Sequence, residues 1–347
     1  MIDRRTFGKA VGLGTGAAAL SLTGSHAADA AAAAPRAADA APAAPATHTA
    51  FPVLKQIEAG VLDIGYAEAG PAHGPVVICL HGWPYDIHSY VDVAPLLAER
   101  GYRVIVPYLR GHGSTRFLSS RTVRNAQQSA VALDIVALMD ALGIPEAVLA
   151  GFDWGSRTAD IIAALWPERV TALVSTSGYL ITDVEAQKSP IAPAAEHNWW
   201  YQYYFATERG RVALETPELR DELCQLVWKL VSPTWQFDDA TFRRTAQAFQ
   251  NPDYAAVVIH NYRWRLGLAE GEHRYDRYEK ELATRPVIHV PTITLSPGLD
   301  PFTASGDPTR DRFTGPYEHR VVEGIGHNLP QEAPAVFAQA VLDAANL

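Results

Sequence analysis

The chain has 347 residues, of which 48% are hydrophobic, and it carries a formal net charge of −9. A chain of this length can bury a full hydrophobic core, with room for a second, smaller domain. The negative charge argues against nucleic acid and anionic membrane surfaces as partners, because both would repel it. Cysteine and histidine residues do not cluster at metal-ligand spacing, so the sequence predicts no metal site, and nothing in it points to a bound cofactor.

The first 48 residues have the composition of an export signal followed by a linker. A twin-arginine signature, Asp3-Arg4-Arg5-Thr6-Phe7, precedes a mild apolar stretch and a small-residue cleavage pattern at 25–27. The apolar stretch is too short and too rich in Gly and Ala for stable membrane insertion. Residues 28–48 are almost wholly Ala, Pro, Asp and Thr, a composition that cannot offset the entropy lost on ordering. We therefore expect a signal peptide over 1–27, a flexible linker over 28–48, and a periplasmic or extracellular enzyme.

From residue 49 onward, apolar strand-like runs alternate with helical patterns. The patterns predict strands at 53–59, 61–69, 75–80, 103–107, 147–152, 170–175, 292–295 and 319–322, and helices at 87–100, 126–142, 155–165 and 333–345. Alternation of this kind predicts an α/β fold with a mostly parallel sheet that helices cover on both faces.

The alternation is interrupted over residues 189–284. This stretch is rich in Trp, Tyr, Phe and Arg, and its patterns are helical. An insertion between two sheet strands predicts a helical cap over the active-site end of a core formed by 49–188 and 285–347.

The strongest local motif is Gly151-Phe152-Asp153-Trp154-Gly155, between a predicted strand and a predicted helix. This is the nucleophile-elbow pattern with Asp at the position where esterases carry Ser. Small residues are needed at both ends because the turn is tight. An Asp in this place could also be an ordinary helix N-cap. We interpret Asp153 as a nucleophile whose carboxylate projects from the sheet edge.

Other motifs complete a catalytic constellation in the expected chain order. Asp300 follows a predicted strand, and His327 lies in Gly324-Ile325-Gly326-His327-Asn328 after the last strand. Asp300 could instead form a turn, and His327 could be a structural loop histidine. The backbone N–H groups of Trp83 and Trp154 are the expected oxyanion hole, where one donor typically contributes about 3 kcal/mol to the transition state.

Four motifs taken together resemble the epoxide hydrolase and haloalkane dehalogenase branch of the α/β-hydrolases. They are His81-Gly82-Trp83-Pro84, Arg110-Gly111-His112-Gly113-Ser114, Asp153-Trp154-Gly155 and Gly326-His327. The resemblance covers essentially all of residues 49–347 and implies the α/β-hydrolase fold. In the family the second motif shapes a loop, so His112 is not expected in the site.

An aspartate nucleophile restricts the chemistry. Its carboxylate can attack an sp³ carbon and form an alkyl ester, which water activated by His327 and oriented by Asp300 would hydrolyse. Attack on a carboxylic ester would give an anhydride, so general esterase activity is a less natural reading.

Two segments of the predicted cap resemble those of epoxide hydrolases. They are Tyr201-Gln202-Tyr203-Tyr204-Phe205 and His260-Asn261-Tyr262-Arg263. The resemblance implies that Tyr201 and Tyr262 protonate the epoxide oxygen, a role worth about 10²–10⁴-fold. Both could instead be packing residues, and Tyr204 could replace Tyr201. The expected substrate is a small apolar or aromatic epoxide.

Hydrolytic dehalogenation of a haloalkane or haloacid is the alternative. Trp154 matches the halide-binding Trp of haloalkane dehalogenases, although epoxide hydrolases share it. Arg157 matches one of two arginines with which fluoroacetate dehalogenases hold the substrate carboxylate, but Trp154 occupies the place of the other. Arg157 could also be a helix residue tied to a nearby carboxylate. A binding protein that retained the fold without turnover is a further alternative.

We expect the double substitution Arg4→Lys with Arg5→Lys to trap precursor in the cytoplasm, because the arginine pair is the address that the export machinery reads. Fractionation followed by N-terminal sequencing measures this, with mature wild-type protein starting near Ala28. Unchanged export of the double variant would refute this route.

Overall fold

The computed structural model describes residues 50–347. The predicted signal peptide (1–27) and the predicted linker (28–48) therefore lie outside the described residues. Within 50–347, no helix is both long and apolar enough to cross a bilayer.

Nine strands form one sheet in the described part of the chain. They are Leu54–Ala59 (β1), Leu62–Ala69 (β2), Val76–Leu80 (β3), Arg103–Pro107 (β4), Arg116–Phe117 (β5), Ala147–Gly151 (β6), Val170–Thr176 (β7), Thr292–Pro297 (β8) and Tyr317–Val322 (β9).

The sheet order is β1-β2-β4-β3-β6-β7-β8-β9, and β5 pairs with β2. The pairs formed by β2 are antiparallel, whereas every pair from β4 through β9 is parallel. The central strands β6 and β8 are buried along their whole length, as expected for parallel strands covered on both faces. The predicted mostly parallel sheet is thus confirmed.

The helices are Val93–Ala98 (α1), Gln128–Ala141 (α2), Trp154–Leu165 (α3), Pro193–Asn198 (α4), Trp200–Ala206 (α5), Glu208–Glu215 (α6), Pro217–Val231 (α7), Asp239–Ala246 (α8), Tyr254–Arg265 (α9), Asp276–Leu282 (α10), Leu329–Glu332 (α11) and Pro334–Ala344 (α12). Among the sheet helices, α2 packs on α3 and α1 packs on α12. Helix α3 also contacts β3, β6 and β7, which fixes its N-terminus at the carboxyl edge of the parallel strands.

One local prediction was wrong, and one strand was missed. The helix predicted over 87–100 is split into a 3₁₀ turn, Ile87–Tyr90, and the shorter α1. The Asp86 carboxylate accepts the backbone N–H of His88 at 3.0 Å, and this cap closes the first turn separately. Strand β5 was missed because a two-residue pairing carries no alternation.

The segment between β7 and β8 contains helices α4 to α10 and no strand among its described residues. It lies where the sequence predicts the cap. Helices α5 and α9 pack on each other, and their aromatic side chains reach Trp83 at the end of β3, where Tyr201 and Tyr262 lie 5.1 and 5.3 Å from its ring centroid. The helical segment therefore covers the carboxyl edge of the sheet.

Candidate active site

Asp153 lies in a sharp turn between β6 and α3. Its φ of 53° and ψ of −121° fall outside the regions that a residue with a side chain normally adopts. The flanking glycines are required by close packing. A Cβ on Gly155 would lie 1.8 Å from the Leu80 carbonyl oxygen, and one on Gly151 would lie 2.4 Å from the carbonyl carbon of Gly155. The turn therefore brings Asp153 against the end of β3.

The Asp153 carboxylate is held from the β3 side. The backbone N–H of Trp83 donates to Asp153 Oδ1 at 2.7 Å. Gly82 leaves room for this approach, because a Cβ there would lie 2.6 Å from the same oxygen. The Asp153 side chain remains 14% exposed.

His327 lies between Asp153 and Asp300. Its Nε2 is 3.6 Å from Asp153 Oδ2, and its Nδ1 is 3.0 Å from Asp300 Oδ2. Asp300 is oriented in turn, since it accepts the backbone N–H of Phe302 at 3.1 Å and the hydroxyl of Thr303 at 2.9 Å. The structure thus brings together the three residues that the sequence predicts as nucleophile, base and acid.

The two carboxylates set the protonation of the site. Burial alone would lower the pKa of His327, but the charges of Asp300 and Asp153 outweigh burial and raise it to about 10. Burial raises the pKa of Asp153, whereas the His327 imidazolium and the Trp83 N–H outweigh it, so the net shift is downward. At neutral pH the free enzyme therefore holds an imidazolium beside an ionised Asp153.

Tyr201 on α5 and Tyr262 on α9 meet opposite this pair. Their ring centroids are 5.5 Å apart, and both rings pack on Trp83. Burial, together with the negative charge of Asp153, raises both pKa values well above 10, so both phenols keep their protons at neutral pH. Tyr204 is half-buried and packs on Trp200 instead.

The two backbone N–H groups predicted to form the oxyanion hole differ in whether they already donate a hydrogen bond to the Asp153 carboxylate. Trp83 already donates to Asp153. Trp154 is the first residue of α3, and its N–H has no intrahelical acceptor because the first turn of a helix supplies none. His112 donates from Nδ1 to the Arg110 carbonyl at 3.0 Å, and its ring packs against His81. It is bonded to none of the reacting groups.

Sequence reasoning missed two residues that hold the His327 loop. Ser232, at the end of α7, accepts the backbone N–H of His327 at 3.0 Å and donates to Glu332 at 2.6 Å. Glu332 also accepts the N–H groups of Gly326 and Asn328 at 2.8 and 3.1 Å. The sequence offered one signal for this pair, a glutamate five residues after His327. The role of Glu332 could not be inferred from it, because Glu332 acts together with a serine that lies 95 positions before His327.

Sequence reasoning also missed the hydrogen-bond partner of the Arg157 side chain. Its Nη2 donates to the amide oxygen of Asn261 at 3.1 Å, and it forms no ion pair with any described carboxylate. Burial and the nearby charge of Arg265 lower its pKa to about 10.

Residues 50–347 contain no group of three or more His, Cys, Asp or Glu side chains that could hold a metal ion.

Comparison with known proteins identifies the family. The profile of the alpha/beta hydrolase fold family matches residues 75–274, more than half of the chain. The chain therefore belongs to the α/β-hydrolase family, and the predicted fold class is confirmed.

Within this family, the chain is similar to several proteins that are named as epoxide hydrolases. Epoxide hydrolase A of Mycobacterium tuberculosis is 24% identical over 319 residues, covering 84% of this chain and 97% of the relative. A Klebsiella pneumoniae structure, provisionally assigned as an epoxide hydrolase, is 56% identical with a TM-score of 0.83 and covers 86% of this chain and 99% of its own. A Pseudomonas aeruginosa structure at 22% identity and a TM-score of 0.69 shares the fold. The chain is an α/β-fold hydrolase with epoxide hydrolase homologues.

The charge coupling between Asp153 and His327 can be measured directly. Asp153→Asn keeps the shape of the side chain and removes one of the two carboxylates that raise the His327 pKa. We expect that pKa to fall toward the ordinary value of about 6.5. Titration of the imidazole by nuclear magnetic resonance measures it. Asp160→Asn, at another buried carboxylate on α3, is the matched control and should leave the His327 pKa near its wild-type value. Equal pKa values in wild type and Asp153→Asn would contradict the assignment.

Proposed function

We propose that this α/β-hydrolase is an epoxide hydrolase that converts an epoxide to a vicinal diol through an alkyl ester on Asp153. The observation that carries the proposal is the surroundings of the Asp153 carboxylate. It lies 3.6 Å from the His327 imidazole, and it is close enough to the buried phenols of Tyr201 and Tyr262 for its charge to raise their pKa values. A nucleophile, a base and two proton donors near one another are what epoxide opening requires.

In the first step, an Asp153 oxygen attacks an epoxide carbon and the ring C–O bond breaks. The departing oxygen takes a proton from Tyr201 or Tyr262, leaving a phenolate. The raised pKa values of the phenols mean that a proton is available at neutral pH. They also mean that the phenolate is a strong base and regains a proton readily.

Formation of the ester changes the charge on His327 before water reacts. The ester is uncharged, so Asp153 no longer raises the His327 pKa, and the imidazolium gives its proton to the phenolate. This transfer leaves a neutral imidazole and restores the phenol.

In the second step, water attacks the carbonyl carbon of the Asp153 ester and transfers a proton to the neutral His327, which becomes an imidazolium again. The backbone N–H groups of Trp83 and Trp154 would stabilise the oxyanion. The ester C–O bond then breaks, the departing diol oxygen takes the proton of the hydroxyl group that came from water, and the Asp153 carboxylate is regenerated.

We also propose that the enzyme acts outside the cytoplasm, on the basis of the twin-arginine signature at Arg4-Arg5. The Lys-for-Arg double variant described above tests this part of the proposal.

We expect His327→Gln to stop the reaction after its first step. A carboxylate needs no base to attack carbon, whereas hydrolysis of the ester needs activated water, so ester hydrolysis should slow about 10²–10⁴-fold. Intact-protein mass spectrometry after mixing with styrene oxide should show a covalent adduct of one substrate molecule.

The matched control is the double variant Asp153→Ala with His327→Gln, which should form no adduct, and Asp153→Ala alone should have no turnover. Circular dichroism establishes that each variant is folded. Turnover by Asp153→Ala, or normal turnover without adduct by His327→Gln, would overturn the mechanism.

Replacing Tyr201 or Tyr262 with Phe should lower the single-turnover alkylation rate by about 10²-fold or more, and replacing both should nearly abolish it. The oxygen would then leave as an unprotonated alkoxide into a buried site. Phe preserves ring packing on Trp83, so lost apolar contact would not explain the effect.

A bromoalkane is the internal control for these variants, since a halide leaves without a proton. Equal losses on the epoxide and the bromoalkane would indicate damaged packing. Halide release by wild type without any epoxide hydrolysis would favour the dehalogenase alternative, for which Trp154, Trp83 and Arg157 are the residues to test.

A further inference from the structure

Two buried arginines beside the candidate active site lack an anionic partner. Arg157 on α3 is 7% exposed and Arg265 on α9 is 8% exposed. The Arg157 side chain forms one hydrogen bond, to the amide oxygen of Asn261. The Arg265 side chain forms no hydrogen bond or ion pair with any described residue, and its Nε is fully buried. Arginines are rarely buried to this extent unless they are paired.

Both guanidinium groups lie near each other and near the Tyr262 phenol, and Arg157 also lies near the Asp153 carboxylate. Arg157 lies one helical turn after Asp153, since its N–H donates to the Asp153 carbonyl at 3.1 Å, and its positive charge lowers the Asp153 pKa. Arg265 lies one turn after Tyr262, with its guanidinium carbon 5.9 Å from that ring centroid. Each side chain is therefore within reach of a molecule bound between Asp153 and Tyr262.

Asn261 adds a further free donor. It is 1% exposed, its oxygen accepts from Arg157, and its Nδ2 is buried without a partner. Asn261 precedes Arg265 by four residues on α9, so the two side chains project from one face of that helix. Donors on α3 and α9 thus lack acceptors in the same region.

The unused donors of these side chains define the chemistry of a matching ligand. Apart from the bond between Arg157 and Asn261, the Arg157 and Arg265 guanidinium groups and the Asn261 amide lack acceptors that the described residues could supply. A carboxylate offers two acceptor oxygens in a planar arrangement that matches the fork of a guanidinium group.

We propose that the substrate is an epoxide bearing a carboxylate next to the ring, held by Arg157 on α3 and Arg265 on α9. This inference rests on the proposed epoxide hydrolysis and specifies its substrate class. The carboxylate has to lie close to the reacting carbon, because side chains one turn apart on a helix are about 5–6 Å apart at Cβ. The arginines would also offset the repulsion between an anionic substrate and the Asp153 carboxylate.

A second role for the arginines would give a different result. Both positive charges lower the pKa of Tyr262 and so oppose the effect of burial. If acidifying this phenol were their purpose, removal of Arg265 would slow the hydrolysis of charged and neutral epoxides equally. The two roles are therefore separated by comparing substrates that differ only in charge.

Phenylglycidate and phenylglycidamide are such a pair. We expect wild type to prefer the carboxylate in kcat/KM by about 10-fold or more. Arg265→Met should lower kcat/KM for phenylglycidate about 10- to 100-fold more than for the amide, the range for a hydrogen bond to a charged group. Arg263→Met is the matched control, because Arg263 lies on the same helix but bonds to the Phe205 carbonyl at 3.1 Å. The control should preserve the wild-type preference.

Binding of unreactive ligands tests the anion site without the chemistry. Calorimetric titration with phenylpropanoate and phenylpropanamide should show tighter binding of the carboxylate to wild type and loss of that difference in Arg265→Met. Equal binding of the two ligands, or equal loss on both epoxides in Arg265→Met, would overturn the inference while leaving epoxide hydrolysis intact. If neither epoxide is hydrolysed, the proposed function fails, and the titration alone decides whether the arginines bind a carboxylate.

Discussion

The close approach of β3 to the turn after β6 is the constraint on which the rest of the site depends. These strands are parallel neighbours, with Leu80 in register with Gly151, so both end at one edge of the sheet. The Asp153 backbone conformation costs about 1–3 kcal/mol, and it persists because α3 packs directly against the Leu80 carbonyl. The same approach brings the Trp83 N–H to the carboxylate. The strained turn and the approach of β3 thus provide both a projecting carboxylate and the donor that holds it.

The sheet and the helical segment above it divide the chemistry between them. The sheet positions the carboxylates and His327, whose charges respond to each other, while α5 and α9 supply uncharged phenols. Ser232 joins the two parts, because it ends α7 and holds both the His327 N–H and Glu332. A shift of α7 would therefore move His327 as well as the helical segment that covers the carboxyl edge of the sheet. This connection explains why a serine and a glutamate without a chemical role lie fully buried beside the histidine.

The parts of this arrangement that local sequence determines were predictable. The strand–turn–helix pattern around Asp153 needs small residues at fixed spacing, and the strand alternation follows from burial on both faces of the sheet. The split of the helix before β4 depended on a single Asp86 cap. Arg265 lies 108 positions from Arg157, so neither spacing nor periodicity could predict that the two side chains lie near each other. Taken singly, each is an ordinary arginine on a helix. Pairings between distant elements become visible only when the fold brings them together.

The division of the site between the sheet and the helical segment also affects how substrate choice can change in such a fold. The residues that would form and hydrolyse the proposed ester are fixed by the geometry of the sheet edge, and a substitution there would alter the reaction itself. The residues that would recognise the remainder of the substrate come largely from α9, whose position is set by aromatic packing on Trp83. Ring packing tolerates replacement of one polar side chain by another on the same helix better than an elbow tolerates a Cβ. A single arginine on α9 can therefore change which epoxides bind while Asp153 and His327 keep their relation to each other.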